Sequence, residues 1–342
     1  MSLPETFKCY WVEKDPSGRV TARVADRRLD EIPPDDVLIR VAYSALNYKD
    51  ALAATGHPGV SKVFPHIPGV DAAGAVARSG VYEFVPGDPV IATGFDLGSK
   101  RWGGFAEYLA VPQQWVVPLP AGLTLRESII LGTAGLTAGM CVDALHRHAV
   151  TPDRGDVVVT GASGGVGSMA VAILSKLGYR VVAVTGKPSA HDFLRRLGAQ
   201  EIIGRQSVDE PPDKGLLSAR WAGGVDTVGG NILSTILRAT KHDGCVAACG
   251  TVAGTALNVT VYPFILRAVT LTGVDAAWCP LELRHQTWQR LAGPWKPDHL
   301  DEMACFRRLE DLPAEIQNIL RSQITGRVVI EIGGEKETKK DR

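Results

Sequence analysis

Apolar runs with strand character recur through the first third of the chain, at 36–43, 69–77 and 88–93. Turn formers punctuate them: Gly56, Pro58, Gly59, Pro65, Pro68, Gly69, Pro86 and Gly87. Residues 1–125 therefore read as a β-rich domain, closed by the PLPAG stretch at 118–122. The pattern then changes. Residues 126–148 carry a helical period, interrupted near GTAG at 132–135. Strand-type runs follow at 157–160, 180–185, 201–204, 224–228, 244–249 and 270–275, with helical patterns between most of them. This alternation predicts an α/β fold with a doubly wound parallel sheet over 126–277. Six such runs suit a full dinucleotide-binding sheet. Beyond 278 the pattern gives helices at 281–291 and 312–322 and a last strand at 326–332. Residues 278–334 are expected to return to the N-terminal domain, and 335–342, nearly all charged or polar, to form a disordered tail.

The segment 157–187 reads VVVTGASGGVGSMAVAILSKLGYRVVAVTGK. A strand enters a glycine turn, a helix leaves it, and a second strand follows. That unit holds the pyrophosphate of a dinucleotide. Gly164, Gly165 and Gly167 lack a Cβ, so backbone can approach a phosphate closely. The helix starting near Val166 turns free N–H groups and its positive dipole end to the anion. NAD sites usually place an acid at the end of the second strand. Here Thr185-Gly186-Lys187 stands there instead. A cation among small donors suits a 2′-phosphate and favours NADPH, although a solvated lysine at a strand end is also common. Arg205, just past the 201–204 run, is a second cation able to grip a phosphate bidentately.

The bulk numbers narrow the class. At 342 residues the chain can bury two cores. Formal charge is zero, with 45% hydrophobic and 22% charged residues, which suits a soluble protein and speaks against nucleic acid as a partner. Cys9, Cys141, Cys245, Cys249, Cys279 and Cys305 form no CxxC pair and sit mostly in apolar context. They read as buried reduced thiols of a cytoplasmic protein. The N-terminus lacks the apolar core of a signal peptide. The uncharged stretch 157–175 has membrane-span length, but its glycines break it into strand, loop and helix, so no membrane association is expected.

Several motifs fall in one order along nearly the whole chain: SALNYKD at 44–50, IPGVD at 67–71, WGGFAE at 102–107, LGTAGLT at 131–137, VTGASGGVG at 159–167, VDTVG at 225–229, GCVAACG at 244–250, PFILR at 263–267 and GRVV at 326–329. On these the chain resembles the medium-chain dehydrogenase/reductase superfamily, its zinc-free quinone-oxidoreductase branch, and within that the YhdH/AcuI group of NADPH-dependent acrylyl-CoA reductases. NYKD and PFILR are fairly group-specific. The resemblance implies a GroES-like catalytic domain and a Rossmann domain. Two departures bear on fine contacts: Thr251-Val252 after the Cys-Gly turn, and Asp275-Ala276 where the family has Asp-Ser.

The resemblance also implies roles. Tyr48 and Asn47 belong beside the nicotinamide, Tyr48 bonding the cofactor or donating a proton, since a phenol is an acid rather than a base at neutral pH. Its bland alternative is a tyrosine satisfied by backbone. Thr133 and Thr137 belong under the nicotinamide, though helical threonines often bond the preceding turn. Ser163, Gly164, Gly165 and Val166 line the pyrophosphate; Thr185, Gly186, Lys187 and Arg205 surround the 2′-phosphate. Thr251, Ile265 and Ala276 contact the nicotinamide half, mostly through backbone. Arg327 matches a cofactor-contacting arginine, or is a surface cation. Asp50 and Asp71 are tempting acid/base groups, but Asp71 follows a Pro-Gly turn and more readily caps local backbone.

Zinc-dependent relatives carry a cysteine within 44–50, a Gly-His-Glu where Pro68-Gly69-Val70 stands, and closely spaced cysteines near 90–115. This chain has none of these, and His57 and His66 lack accompanying soft ligands, so no metal is expected. The expected reaction is hydride addition to an α,β-unsaturated thioester, acryloyl-CoA giving propanoyl-CoA. Arg267, Arg284, Lys62 and Lys100 are candidate CoA-binding cations. A homodimer is expected through the 257–275 segment, which in relatives pairs across a two-fold axis. Two other readings stay open: a general quinone or enone reductase, and a non-catalytic NADPH-binding structural protein.

Overall fold

Alternation of buried and exposed side chains builds the first elements. β1 (Thr6–Lys14) and β2 (Val20–Arg28) pair antiparallel as a separate two-stranded sheet, from Thr6 opposite Arg28 to Lys14 opposite Val20. β3 (Val37–Leu46) leads into a short helix, α1 (Tyr48–Ala54), and then come β4 (Asp71–Ser79), β5 (Pro89–Thr93), β6 (Tyr108–Val111) and β7 (Val116–Pro118). The long helix α2 (Leu125–Arg147) carries one non-helical residue, Gly132, at φ 51° and ψ −155°. The computed structural model describes residues 3–333, so the 335–342 tail lies outside the described residues.

The second half alternates strand and helix: β8 (Val157–Val159), α3 (Gly165–Lys176), β9 (Val181–Val184), α4 (His191–Arg196), β10 (Glu201–Ile203), β11 (Trp221–Asp226), α5 (Gly230–Ala239), β12 (Thr240–Ala248), α6 (Tyr262–Arg267), β13 (Thr270–Gly273) and α7 (Leu281–Ala292). The chain ends its described course with β14 (Ala304–Arg308), α8 (Leu312–Leu320) and β15 (Arg327–Glu331).

Two compact units result: Met1–Thr133 with Leu300–Arg342, and Ala134–His299. In the first, strands run β14-β15-β3-β4-β5-β7, with β6 also on β3. β14 and β15 are parallel and the other pairs antiparallel. In the second, the order is β10-β9-β8-β11-β12-β13, all parallel. Counted from β8 this is 3-2-1-4-5-6, the doubly wound dinucleotide order, in which ligands bind beyond the carboxyl ends of the strands. β8 is three valines buried on both faces, as a central parallel strand requires.

Several expectations need correction. β1, β2, β6, β7 and β14 carry no run that the sequence reading singled out. The first unit extends to Thr133 rather than 125, because the break in α2 falls at Gly132. The return begins at Leu300 rather than 278. α7 stays with the parallel-sheet unit: Trp288 and Leu291 are fully buried, and Arg290 is ion-paired with Asp143 of α2.

Candidate active site

In the parallel-sheet unit the glycine turn sits at the carboxyl end of β8. Gly161 has φ 58°, and a Cβ there would lie 2.2 Å from Thr227 Oγ1. Gly164 is the N-cap of α3. A Cβ on Gly167 would lie 2.3 Å from the Gly161 carbonyl, so only glycine lets the helix close on its own turn. Ser163, Gly164, Gly165 and Val166 thus stand together at the free N–H end of a twelve-residue helix. A side-chain chain runs outward from here. Thr185 Oγ1 donates to Ser163 Oγ (3.1 Å) and accepts the Lys187 N–H (3.1 Å).

Two cations converge just beyond β9. A Cβ on Gly186 would lie 2.7 Å from Arg205 Nε and 2.9 Å from its Cζ, so Arg205 lies across the glycine. Burial, and next the Arg205 charge, push the Lys187 ammonium below its usual range. Arg205 makes no hydrogen bond or ion pair among the described residues. Two like charges held side by side suit a doubly charged anion.

A cleft of about 550 Å³ opens at the carboxyl ends of β12 and β13, lined among others by Gly229, Cys249, Gly250, Thr251 and Asp275. Asp226, which the sequence reading gave no role, ties this cleft to the glycine turn. It is fully buried, accepts from Thr160 Oγ1 (2.6 Å) and Gly229 N–H (2.7 Å), and burial pushes its carboxyl up. Thr251 is in the cleft as expected. Two of its expected companions are not. Ala276 is buried, with its carbonyl taken by Arg284 Nη2 at 2.9 Å. Ile265 stands 69% exposed on α6, outside the cleft lining, beside exposed Tyr262 and Leu266. Arg284, offered above as a CoA cation, is itself fully buried. Arg267 spends its guanidinium on the carbonyls of Leu217, Arg238 and Thr240. Thr137, in α2 of this unit, is buried.

The other unit carries a buried charged network. Arg327, the first residue of β15, is 3% exposed and Asp71, the first of β4, is fully buried. Arg327 donates from Nη1 to Asn47 Oδ1 (2.9 Å), from Nη2 to Asp71 Oδ2 (3.3 Å) and from Nε to the Ile130 carbonyl (3.1 Å). Asn47 Nδ2 donates to Asp71 Oδ2 (2.8 Å). Asp71 Oδ1 accepts both the N–H (2.8 Å) and the hydroxyl (2.5 Å) of Thr133. Asp50 closes the network, accepting from the N–H groups of Val70 (2.8 Å) and Asn47 (2.9 Å). Gly132 is required beside it, since a Cβ there would lie 2.6 Å from Asp71 Oδ2 and 2.9 Å from Arg327 Nη2.

This geometry revises four roles. Arg327 is neither a surface cation nor turned outward; its guanidinium points into the unit. Asn47 has its amide and carbonyl engaged, and Thr133 gives its hydroxyl to Asp71, so these residues position the loop rather than face a ligand. Asp71 caps the break in α2, far away in sequence, instead of its own turn. Tyr48 differs. It begins α1, is 42% exposed, and its hydroxyl has no partner among the described residues.

Burial, and next the Asp71 charge, push the Asp50 carboxyl up to about 7, against about 3.9 in an unfolded chain. Between those values the folded protein holds a proton that the unfolded chain has lost. Asp50 therefore makes stability fall as pH rises from about 4 to about 7. Urea unfolding of wild type and Asp50→Asn from pH 4 to 8 checks this. The difference wild type minus variant is expected to decline with pH and level off above 7; a flat or rising difference would contradict the assignment.

Comparison with known proteins fits both units. The model of the alcohol dehydrogenase GroES-like domain matches residues 33–121, and that of the zinc-binding dehydrogenase matches 165–291. Acrylyl-CoA reductase AcuI of Ruegeria pomeroyi is 43% identical over 327 residues, 95% of this chain and 99% of that protein. The chain belongs to the medium-chain dehydrogenase/reductase superfamily, in its quinone-oxidoreductase branch. The putative quinone oxidoreductase YhfP of Bacillus subtilis is 42% identical over the same shares of both chains, and its structure with NAD bound superposes with a TM-score of 0.93, covering 96% of this chain and 100% of that one. The yhdH oxidoreductase of Salmonella enterica, solved in complex with NADP, gives a TM-score of 0.92 at 43% identity, covering 95% of this chain and 99% of that one.

One superfamily model is named for zinc, and the donor set here does not fit that metal. Among the described residues no three His, Cys, Asp or Glu side chains lie together. His57 Nδ1 accepts the Gly59 N–H, and His66 is buried against Ser61 and the Phe64 ring.

Proposed function

We propose that this chain is an NADPH-dependent reductase of α,β-unsaturated acyl-CoA thioesters, with acryloyl-CoA reduced to propanoyl-CoA. The observation that carries the reading is the paired Lys187 and Arg205 at an acid-free strand end, in a chain 43% identical to an acrylyl-CoA reductase. NADPH, when bound, supplies a hydride to the β-carbon of the acceptor. The protein's own part is to bind, orient and protonate. Ser163, Gly164, Gly165 and Val166 hold the pyrophosphate with backbone N–H groups. Thr185, Gly186, Lys187 and Arg205 hold the 2′-phosphate, and Thr251 lines the nicotinamide half. Tyr48 donates the proton to the α-carbon as negative charge leaves the thioester oxygen. Its free hydroxyl supports that role, and the Asn47–Asp71–Arg327 network holds its loop rigid, the positioning on which much of the acceleration depends.

Product analysis tests the reaction. Propanoyl-CoA made in heavy water is expected to carry one solvent deuterium at the α-carbon and none at the β-carbon. Label at the β-carbon, or no propanoyl-CoA, would reject the reading. Tyr48→Phe is expected to lower kcat on the order of 10²-fold while leaving NADPH affinity unchanged. Unchanged turnover would remove Tyr48 from the mechanism.

A second reading, general quinone or enone reduction, is favoured by the likeness to YhfP, whose name is putative quinone oxidoreductase. We further infer a homodimer and a cytoplasmic location. Among the described residues β13 is an edge strand with one neighbour, and exposed Val261, Tyr262, Ile265, Leu266 and Trp278 lie on the segments around it. Pairing two β13 edges would cover both features. Light scattering at micromolar protein is expected to give twice the chain mass; the single-chain mass would refute the dimer. All six cysteines are free, which suits a reducing compartment.

A further inference from the structure

The cleft of the parallel-sheet unit has a wall made largely of backbone. Gly229, Gly230, Gly250, Gly254 and Gly273 all line it. Such a wall brings N–H and C=O groups close to a ligand, but it has no rotamers with which to adjust. Its grip depends on where the chain is held. Two turns supply much of it, 227–230 after β11 and 249–254 after β12, and they lock into each other. The Ala253 N–H donates to the Val228 carbonyl at 2.8 Å. A Cβ on Gly229 would lie 2.6 Å from the Gly254 carbonyl oxygen, and one on Gly250 2.1 Å from that of Thr227, so the two backbones touch with no side chain between them.

One residue holds both turns. Asp226 ends β11 and is fully buried. Its Oδ2 accepts the Gly229 N–H (2.7 Å), and its backbone carbonyl accepts the Cys249 N–H (2.9 Å). Its Oδ1 accepts from Thr160 Oγ1 (2.6 Å), which in turn accepts the Thr227 N–H (3.1 Å). The ends of β8, β11 and β12 therefore meet at this one side chain and its peptide. Gly229, the N-cap of α5, has φ 75°, and the bond to Oδ2 fixes its N–H in that conformation.

We propose that Asp226 is a positioning residue for the nicotinamide half of the dinucleotide, setting the backbone of Gly229 and, through the locked turns, of Thr251. The inference rests on the cofactor reading above. Both side-chain oxygens face donors, and a carboxylate accepts at both, whereas an amide accepts at one. The Thr160 hydroxyl can rotate and the Gly229 N–H cannot. An asparagine would therefore give its oxygen to Gly229 and its NH2 to Thr160 Oγ1. An alanine would strand the Gly229 N–H, and the turn would move to find another acceptor. The phosphate half is anchored separately, by Ser163–Val166 at the start of α3 and by Lys187 and Arg205. The glycine turn also keeps its own tie, since the Thr227 hydroxyl donates to the Thr160 carbonyl at 3.0 Å.

Isothermal titration calorimetry of wild type, Asp226→Ala and Asp226→Asn tests this with two probes, NADPH and adenosine 2′,5′-bisphosphate, which carries only the phosphate half. Asp226→Ala is expected to raise the NADPH Kd about tenfold, the effect of one buried hydrogen bond, and to leave the bisphosphate Kd within about twofold of wild type. Asp226→Asn is expected to recover most of the loss. A role in stability alone would lower the unfolding midpoint while moving neither Kd, or would weaken both probes alike. Either result overturns the proposal, as does an asparagine variant no better than the alanine one. Should Asp226→Ala not fold, Gly229→Ala makes the same test with Asp226 in place, because its Cβ must push the two turns apart. The same split between the probes is expected, and equal losses overturn the proposal. A wild type that binds neither probe rejects the cofactor reading and this inference with it; a wild type that binds both, with equal losses in the variants, rejects the inference alone.

Discussion

Replacing Arg327 by methionine is expected to cost about 3–5 kcal/mol, the penalty for stranding a buried charge whose partner is removed. The guanidinium bridges three acceptors on three segments: Asn47 Oδ1, Asp71 Oδ2 and the Ile130 carbonyl. It is the cation this network gives its two buried carboxylates, Asp50 and Asp71. For a unit of this size the loss corresponds to a fall of roughly 10 °C in the unfolding midpoint. The loss is expected to shrink on acidification, as the carboxylates take up protons. Arg327→Lys restores only part, because one ammonium cannot span the same acceptors. Differential scanning calorimetry of the three proteins at pH 5 and 8 is the check. A midpoint change under 2 °C for Arg327→Met would contradict the assigned role.

Removing the two cations beside Gly186 is expected to produce the largest functional change. In Lys187→Ser/Arg205→Ser the 2′-phosphate loses its charged partners. Each charge-assisted hydrogen bond contributes about 1.5–3 kcal/mol, one to two powers of ten in affinity. NADPH affinity should therefore drop on the order of 10²-fold or more. NADH affinity, with no 2′-phosphate to lose, should change less than about threefold. The NADPH preference should also weaken with salt in wild type more than in the variant. Equal losses for both cofactors would mean that the pair serves the fold rather than the phosphate.

The fold was legible where one period dominates over a full element. The valine-rich β8 and β9 and the helix between them carry their pattern in continuous runs. The strand-type run at 224–228 starts three residues late of β11, which spans Trp221–Asp226. Its Gly223 and Gly224 are there because a Cβ would press on Cys245 and Val158, and glycines hide a strand from any apolar count. β2 is half-exposed along its whole length, so its alternation is faint. The phosphate side of the site was legible because it depends on contiguous chain and local chemistry. The catalytic-loop network was not. Asp71, Thr133 and Arg327 meet only through tertiary packing, and a Pro-Gly turn before Asp71 pointed to a local cap. One signal was available: a glycine within a helical run next to Thr133 marks a forced backbone, and forced backbone asks what it leaves room for.

The measurement that bears most directly on the central claim is the initial rate of NADPH consumption by the purified protein with acryloyl-CoA and, separately, with benzoquinone. The account predicts fast turnover on the thioester and little on the quinone, with Tyr48→Phe slowing the thioester reaction. Fast quinone reduction with a sluggish thioester would contradict it and make this branch member a general quinone and enone reductase.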